Sequence, residues 1–163
     1  MNTDIILKLL EKTSNTKSLS KFVDGETLIS KYLKAKDFTS SATANSYHVD
    51  NRLPLNLLQD AKNIGLIYDK IYDQFGGNIK LSSGYRSPRL NALVKGSPSS
   101  QHKFAQALDI QGINGVKNMQ ILQWVLKNVT FGQCIHEYGT QLEPKWVHVG
   151  YGTKMQFLKI GVK

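Results

Sequence analysis

The tract Trp146-Val147-His148-Val149-Gly150-Tyr151 sets a histidine between two valines, and that alternation constrains the fold more than any other stretch. A period of two sends successive side chains to opposite faces of a strand, so Val147 and Val149 share one face while His148 and Trp146 share the other. A second stretch, Ser99 to Ile110, runs from a polar loop through His102 into the apolar tract Ala107-Leu108-Asp109-Ile110, with Asp109 seven positions after His102 (109 − 102). Two imidazoles and one carboxylate suit catalytic zinc, because three protein ligands leave the fourth tetrahedral position for water. On spacing alone this signal is weak. Such residues are common, and a strand histidine is more often a satisfied structural side chain.

The rest of the chain is read for the frame around these stretches. Residues 4–12 have helical apolar spacing, 13–20 form a polar break, and 25–33 carry Leu28, Ile29 and Leu33 on a shared helical stripe. Residues 1–35 are therefore expected to be an N-terminal helical appendage, and 36–163 the main domain. The polar segment 36–51 reads as a loop, and Pro54 opens a long helix to about Phe75, stopped by Gly76-Gly77. Leu58, Ala61, Ile64, Ile71 and Phe75 lie on its apolar face. A strand is expected at 78–83, a short helix at 88–94, a strand at 107–110 and an amphipathic helix at 116–128. Strands at 132–138 and 145–151 are joined by a turn, and 154–160 gives an edge strand. Helices first and strands later indicate an α+β fold: a small antiparallel sheet carrying His102, Asp109 and His148, flanked by helices.

Composition excludes several classes. No apolar run approaches the roughly 20 residues needed to span a bilayer, and the start of the chain has no basic n-region or small-residue cleavage site, so no signal peptide is expected. The single cysteine, Cys134, can form neither an intrachain disulfide nor a multi-thiolate zinc site, which fits synthesis in a reducing cytoplasm. A net charge of +9 favours polyanionic partners such as an anionic cell wall. Nucleic acid is the rival polyanion, but the lysines are scattered and no helix-turn-helix or zinc-finger pattern appears.

Further residues fall into a recognisable order: Ser83-Gly84-Tyr85-Arg86-Ser87-Pro88, Asn91, Val94, Gly96, Ser100-Gln101-His102, Ala107, Asp109 and Trp146-Val147-His148. Over roughly 38–151 this resembles the D-alanyl-D-alanine carboxypeptidase and L-alanyl-D-glutamate endopeptidase family of zinc peptidases, which includes phage endolysins and shares its metal core with the hedgehog signalling domain. The resemblance implies Zn2+ as cofactor, His102, Asp109 and His148 as its ligands, and Arg86 as the group that holds a substrate carboxylate or steadies the oxyanion. A guanidinium suits either role because its planar fork offers two parallel donors.

The general base is less plainly marked. Many relatives carry glutamate three residues before the second histidine, where this chain has Lys145. Glu137 and Glu143 remain. Pairing of the strands at 132–138 and 145–151 would turn Glu137 towards the metal, so Glu137 is chosen and Glu143 is read as a solvated charge. His136 should face the other way and be structural, and His48 matches no motif position. Trp146 reads as a pocket wall, while Ser100 and Gln101 shape the His102 loop and its supporting hydrogen bonds. Ala105 and Lys95 stand where the family commonly has glycine. A backbone that needs positive φ there would make these departures costly.

The resemblance thus implies a zinc metallopeptidase that hydrolyses a peptide bond of the peptidoglycan stem peptide, as a phage-type lysin or virion-associated enzyme. Its site of action would be the bacterial cell wall, after synthesis in the host cytoplasm. The alternative is a non-catalytic virion module that keeps the fold and docks on other virion proteins.

Overall fold

Alternation along three strands decides which face of the central sheet is buried and which carries chemistry. The structure is a computed structural model describing residues 21–163; the helix expected over 4–12 and the polar break over 13–20 lie outside the described residues. The strands are β1 (Ile79–Ser83), β2 (Ala107–Gly112), β3 (Gln133–Glu137), β4 (Trp146–Gly150) and β5 (Gln156–Ile160), in the spatial order β1-β2-β4-β3-β5. The expected antiparallel pairing holds from β1 through β3, but β5 runs parallel to β3. The cause is geometric. β4 ends with Gly150 opposite Gln133, at the start of β3, and the short connection over 151–155 then begins β5 beside that same Gln133.

On one face Leu108 and Cys134 oppose Val149, and Ile110 and His136 oppose Val147; all of these side chains are fully buried. The covering helices are α3 (Leu58–Gln74) and α5 (Asn118–Asn128), which supply Ala61, Ile64, Ile71, Ile121 and Val125 to the same core. Each such side chain, once buried, contributes about 1.5–3 kcal/mol of transfer free energy, apart from the smaller alanine. The chain enters α3 through a 3-10 turn at Leu55–Leu57, and Gly76 and Gly77 end it at φ 57° and 79°. The other face of the sheet presents Asp109, His148, Ile135, Glu137 and Trp146. Among the described residues no helix is long and apolar enough to cross a membrane.

Two local expectations are corrected. Residues 25–33 do not form a helix. Asp24 accepts the Glu26 amide, Leu28 bridges Lys34, and the amides of Lys31 and Tyr32 donate to the Asp69 carboxylate of α3 rather than to carbonyls one turn earlier. Ile29 and Leu33 are still buried in the main core, brought together by the loop that the Ile29 amide closes on the Leu33 carbonyl. Val23 joins them there. The segment 36–51 is also not simply a loop, because it contains most of α1 (Ala35–Phe38) and all of α2 (Ala42–Ser46). Ser41 caps α2 by accepting the Ala44 amide, and alanine at two of its positions favours the helix. The expected short helix appears as α4 (Pro88–Leu93), capped by Ser87 with proline in its first turn.

Candidate metal centre

His102 sits in a 3-10 turn (Gln101–Phe104) just before β2, and Asp109 and His148 face each other across β2 and β4. All three are buried. Their ligand atoms form a small triangle: His102 Nε2 to Asp109 Oδ1 3.1 Å, His148 Nδ1 to Asp109 Oδ1 3.0 Å, and His102 Nε2 to His148 Nδ1 3.2 Å. Donors held about 2.0–2.1 Å from a tetrahedral zinc stand about 3.3 Å from one another, so this triangle has the edge length of one face of such a site.

The surrounding hydrogen bonds decide what the triangle can accept. His102 Nδ1 lies 2.6 Å from the Gly84 carbonyl, which can only accept, so the proton sits on Nδ1 and Nε2 is left with a lone pair. His148 Nε2 lies 3.3 Å from Gln101 Oε1 and donates to it, leaving Nδ1 bare. With both imidazoles neutral, three lone-pair atoms meet with no proton between them. A divalent cation satisfies that arrangement, and the donor set of two imidazole nitrogens and one carboxylate oxygen suits zinc. Burial alone would raise the Asp109 pKa; positive charge on His102 and His148, or a cation held between neutral imidazoles in its place, keeps the carboxyl well below the usual range.

Gln101 is held in place by the backbone it covers. A Cβ at Gly150 would fall 2.0 Å from Gln101 Oε1, so glycine there lets the amide lie over β4 beside His148. Gln101→Ala is expected to weaken zinc binding about 10–100-fold, read by competition with a chromogenic chelator, with the fold unchanged by circular dichroism.

The remaining site residues surround a cleft of about 1340 Å³. Glu137 lies directly opposite Trp146, on the same sheet face as His148, and its carboxylate accepts the Trp146 indole N–H. Burial and then the nearby Asp109 charge raise its pKa, while His148, Trp146 and His102 pull it back in part. Trp146 is thus both cleft wall and partner of Glu137. Arg86 lines the same cleft, with Nη2 3.5 Å from Ser100 Oγ and Nε buried without a partner among the described residues. Burial lowers its pKa, opposed by the charges of Asp109 and Glu137. His136 lies on the opposite face, fully buried, with Nε2 donating to the Thr140 carbonyl.

Glu143 is not a free surface charge. It accepts the Asn118 amide at 2.7 Å, at the start of α5, where a carboxylate is favoured by the unpaired amides and the helix dipole. Ala105 adopts φ 54° and Lys95 φ 55°, so both positions do require the left-handed backbone that glycine enters freely; each non-glycine residue there costs about 1–2 kcal/mol.

Asn51, read from the sequence only as the end of a polar loop, proves to hold the Arg86 loop. Its Nδ2 donates to the carbonyls of Thr39 and Tyr85, and its Oδ1 accepts the Ser87 amide, so it clamps the residues on either side of Arg86. A lone Asn ahead of a proline carries no periodic signal that would mark it. Asn51→Ala strands three polar groups, one buried and two partly buried, and is expected to cost about 2–3 kcal/mol by chemical denaturation.

A family model described as Peptidase M15 matches residues 31–150. No curated protein matches the chain.

Proposed function

The chain belongs to the M15 peptidase family, zinc peptidases of the D-Ala-D-Ala carboxypeptidase and endopeptidase type, and from that premise we propose that it is a peptidoglycan hydrolase of the phage-lysin kind, cutting a peptide bond of the stem peptide at the bacterial cell wall. The observation that carries this reading is the buried triangle of His102, Asp109 and His148 with Glu137 beside it on the floor of one open cleft. A structural zinc site would be closed by four protein ligands; here, among the described residues, three donors converge, and the cleft lies over them.

His102, Asp109 and His148 would hold the zinc. When bound, zinc lowers the pKa of a coordinated water towards neutrality and polarises the scissile carbonyl. Glu137 takes the proton of the attacking water and passes it to the departing amine, the two proton transfers that amide hydrolysis requires. Burial first raises its pKa above the ordinary glutamate value, which makes the carboxylate a stronger base for taking and returning the proton. Trp146 keeps the carboxylate aimed by donating its indole N–H. Arg86, its Nε without a partner among the described residues and its side chain lining the cleft, steadies the oxyanion or holds a substrate carboxylate. The net charge of +9 supports attraction to an anionic wall.

The test is digestion of purified peptidoglycan by the zinc-loaded protein, read by mass spectrometry. New stem-peptide fragments are expected. An intact wall, with zinc bound and several stem chemistries offered, would sink the hydrolase reading and favour a docking module.

A further inference from the structure

The cleft over the centre carries cations that the protein itself does not neutralise. Lys95, Lys145, Lys154 and Lys163 all line it, and all are exposed. Among the described residues, the lysines and arginines that form salt bridges are Lys31, Lys34, Lys36 and Arg52, none of which lines this cleft. Of the chain's 12 acidic residues, those described in its walls are Asp109 and Glu137. Both are engaged, Asp109 in the ligand triangle and Glu137 with the Trp146 indole.

The lysines approach the centre from both ends of the sheet. His148 lies opposite Ile135, midway along the ladder of β3 and β4. At the Glu137 end the Lys145 amide donates to the Glu137 carbonyl and the Lys163 amide to that of Gly139. At the Gln133 end Lys154 precedes Met155, whose amide donates to the Phe131 carbonyl. Gln133 and Glu137 are about 13 Å apart along the strand, the length of about four residues of extended peptide. Lys95 stands on the loop between α4 and the His102 turn, where it keeps a left-handed backbone at φ 55°.

Resting on the peptidase reading above, we propose that these lysines select the substrate by its pendant carboxylates: the enzyme takes stems in which D-glutamate and meso-diaminopimelate carry free carboxylates and discriminates against stems in which those groups are amidated. An amide has nearly the size of a carboxylate and no charge, so amidation keeps the fit and removes the attraction. With lysines at both ends of the sheet face, two carboxylates a few residues apart on one stem can each meet a cation. An ammonium on a flexible stem suits this, since its three donors reach a carboxylate without requiring one fixed geometry.

The probes are L-Ala-γ-D-Glu-meso-diaminopimelate-D-Ala-D-Ala and the same peptide with both pendant carboxylates amidated, the two ends free in each. With the zinc-loaded full chain, KM for the amidated peptide is expected to be about tenfold higher, with kcat within about threefold. The amidated peptide should also bind the Glu137→Gln protein about tenfold more weakly by calorimetry. Lys154→Gln, and Lys145→Gln combined with Lys163→Gln, should each narrow that gap about threefold, and all three together should close it. The control pair Lys62→Gln and Lys70→Gln, at exposed positions on α3, removes as much charge as the Lys145 and Lys163 pair and should leave the gap in place. Equal KM and equal affinity for the two peptides would overturn the inference while leaving the peptidase reading intact. A preference that survives loss of Lys145, Lys154 and Lys163, or that the control pair removes as well, would also overturn it. Failure to cut either peptide, with zinc bound, would remove the peptidase reading and this inference together.

Discussion

Replacement of Glu137 by Gln is expected to lower kcat/KM about 10²–10⁴-fold while leaving zinc content and melting temperature unchanged. Glutamine keeps the size of the side chain and an oxygen that can accept the Trp146 indole N–H, but it cannot take a proton from water. The ligand triangle does not involve Glu137, so the metal should stay. The pH profile adds an independent reading of the same residue. Burial first, and the Asp109 charge second, raise the Glu137 pKa above the ordinary glutamate value. A base works only when deprotonated, so activity should be present above that raised pKa and fall away as pH drops through it. Trp146→Phe removes an N–H that favours the carboxylate form, so the acidic limb should move to higher pH. Full activity in Glu137→Gln would contradict the assignment of the base.

Removal of the metal carries the second large effect, on stability. A ligand that binds only the folded state stabilises by about 4 kcal/mol when present at about a thousandfold over its Kd. In a chain of this size 1 kcal/mol corresponds to about 2–4 °C, so chelation is expected to lower the melting temperature by about 10 °C. His148→Ala should melt at the lower temperature with or without chelator. His102→Ala should fall further, since its imidazole is almost fully buried and also ties the turn to the Gly84 carbonyl. Identical melting of native and chelated protein, at saturating zinc, would argue against a metal held by these buried groups.

The legible parts of the fold were those with strong period. β2 and β4 turn Leu108, Ile110, Val147 and Val149 towards α3 and α5 and Asp109 and His148 towards a cleft, and α3 shows its buried stripe from Ala61 to Ile71, about three turns. Local signals misled where distant groups captured the backbone. Ile29 and Leu33 have helical spacing, yet Asp69, nearly forty residues away in sequence (69 − 31 for Lys31), takes the amides that a helix would have used. The direction of β5 was not readable either, because it depends on where β4 ends relative to β3 rather than on any residue within 156–160.

The candidate site divides in the same way. His102, Asp109, His148, Glu137 and Arg86 stand out because their residue types are chemically specific and their order matches a family. Strand register then brings Glu137 opposite Trp146, as alternation demanded. What remained hidden was support through amides and backbone: Asn51 under the Arg86 loop, the Gly84 carbonyl behind His102, and Gly150 making room for Gln101. Asparagine and glutamine hold loops anywhere in a protein, so only the folded neighbourhood distinguishes these from others. Ala105 and Lys95 are the converse case. Their departure from glycine was visible in sequence, and the structure supplies the left-handed backbone that makes it costly.

A zinc centre built from two imidazoles and one carboxylate can be seen in metal analysis of the purified protein combined with X-ray absorption at the zinc edge. One zinc per chain is expected, bound by nitrogen and oxygen donors without sulfur and lost in His102→Ala and His148→Ala. Stoichiometric zinc retained in both variants, or no zinc in folded native protein equilibrated with the ion, would contradict it.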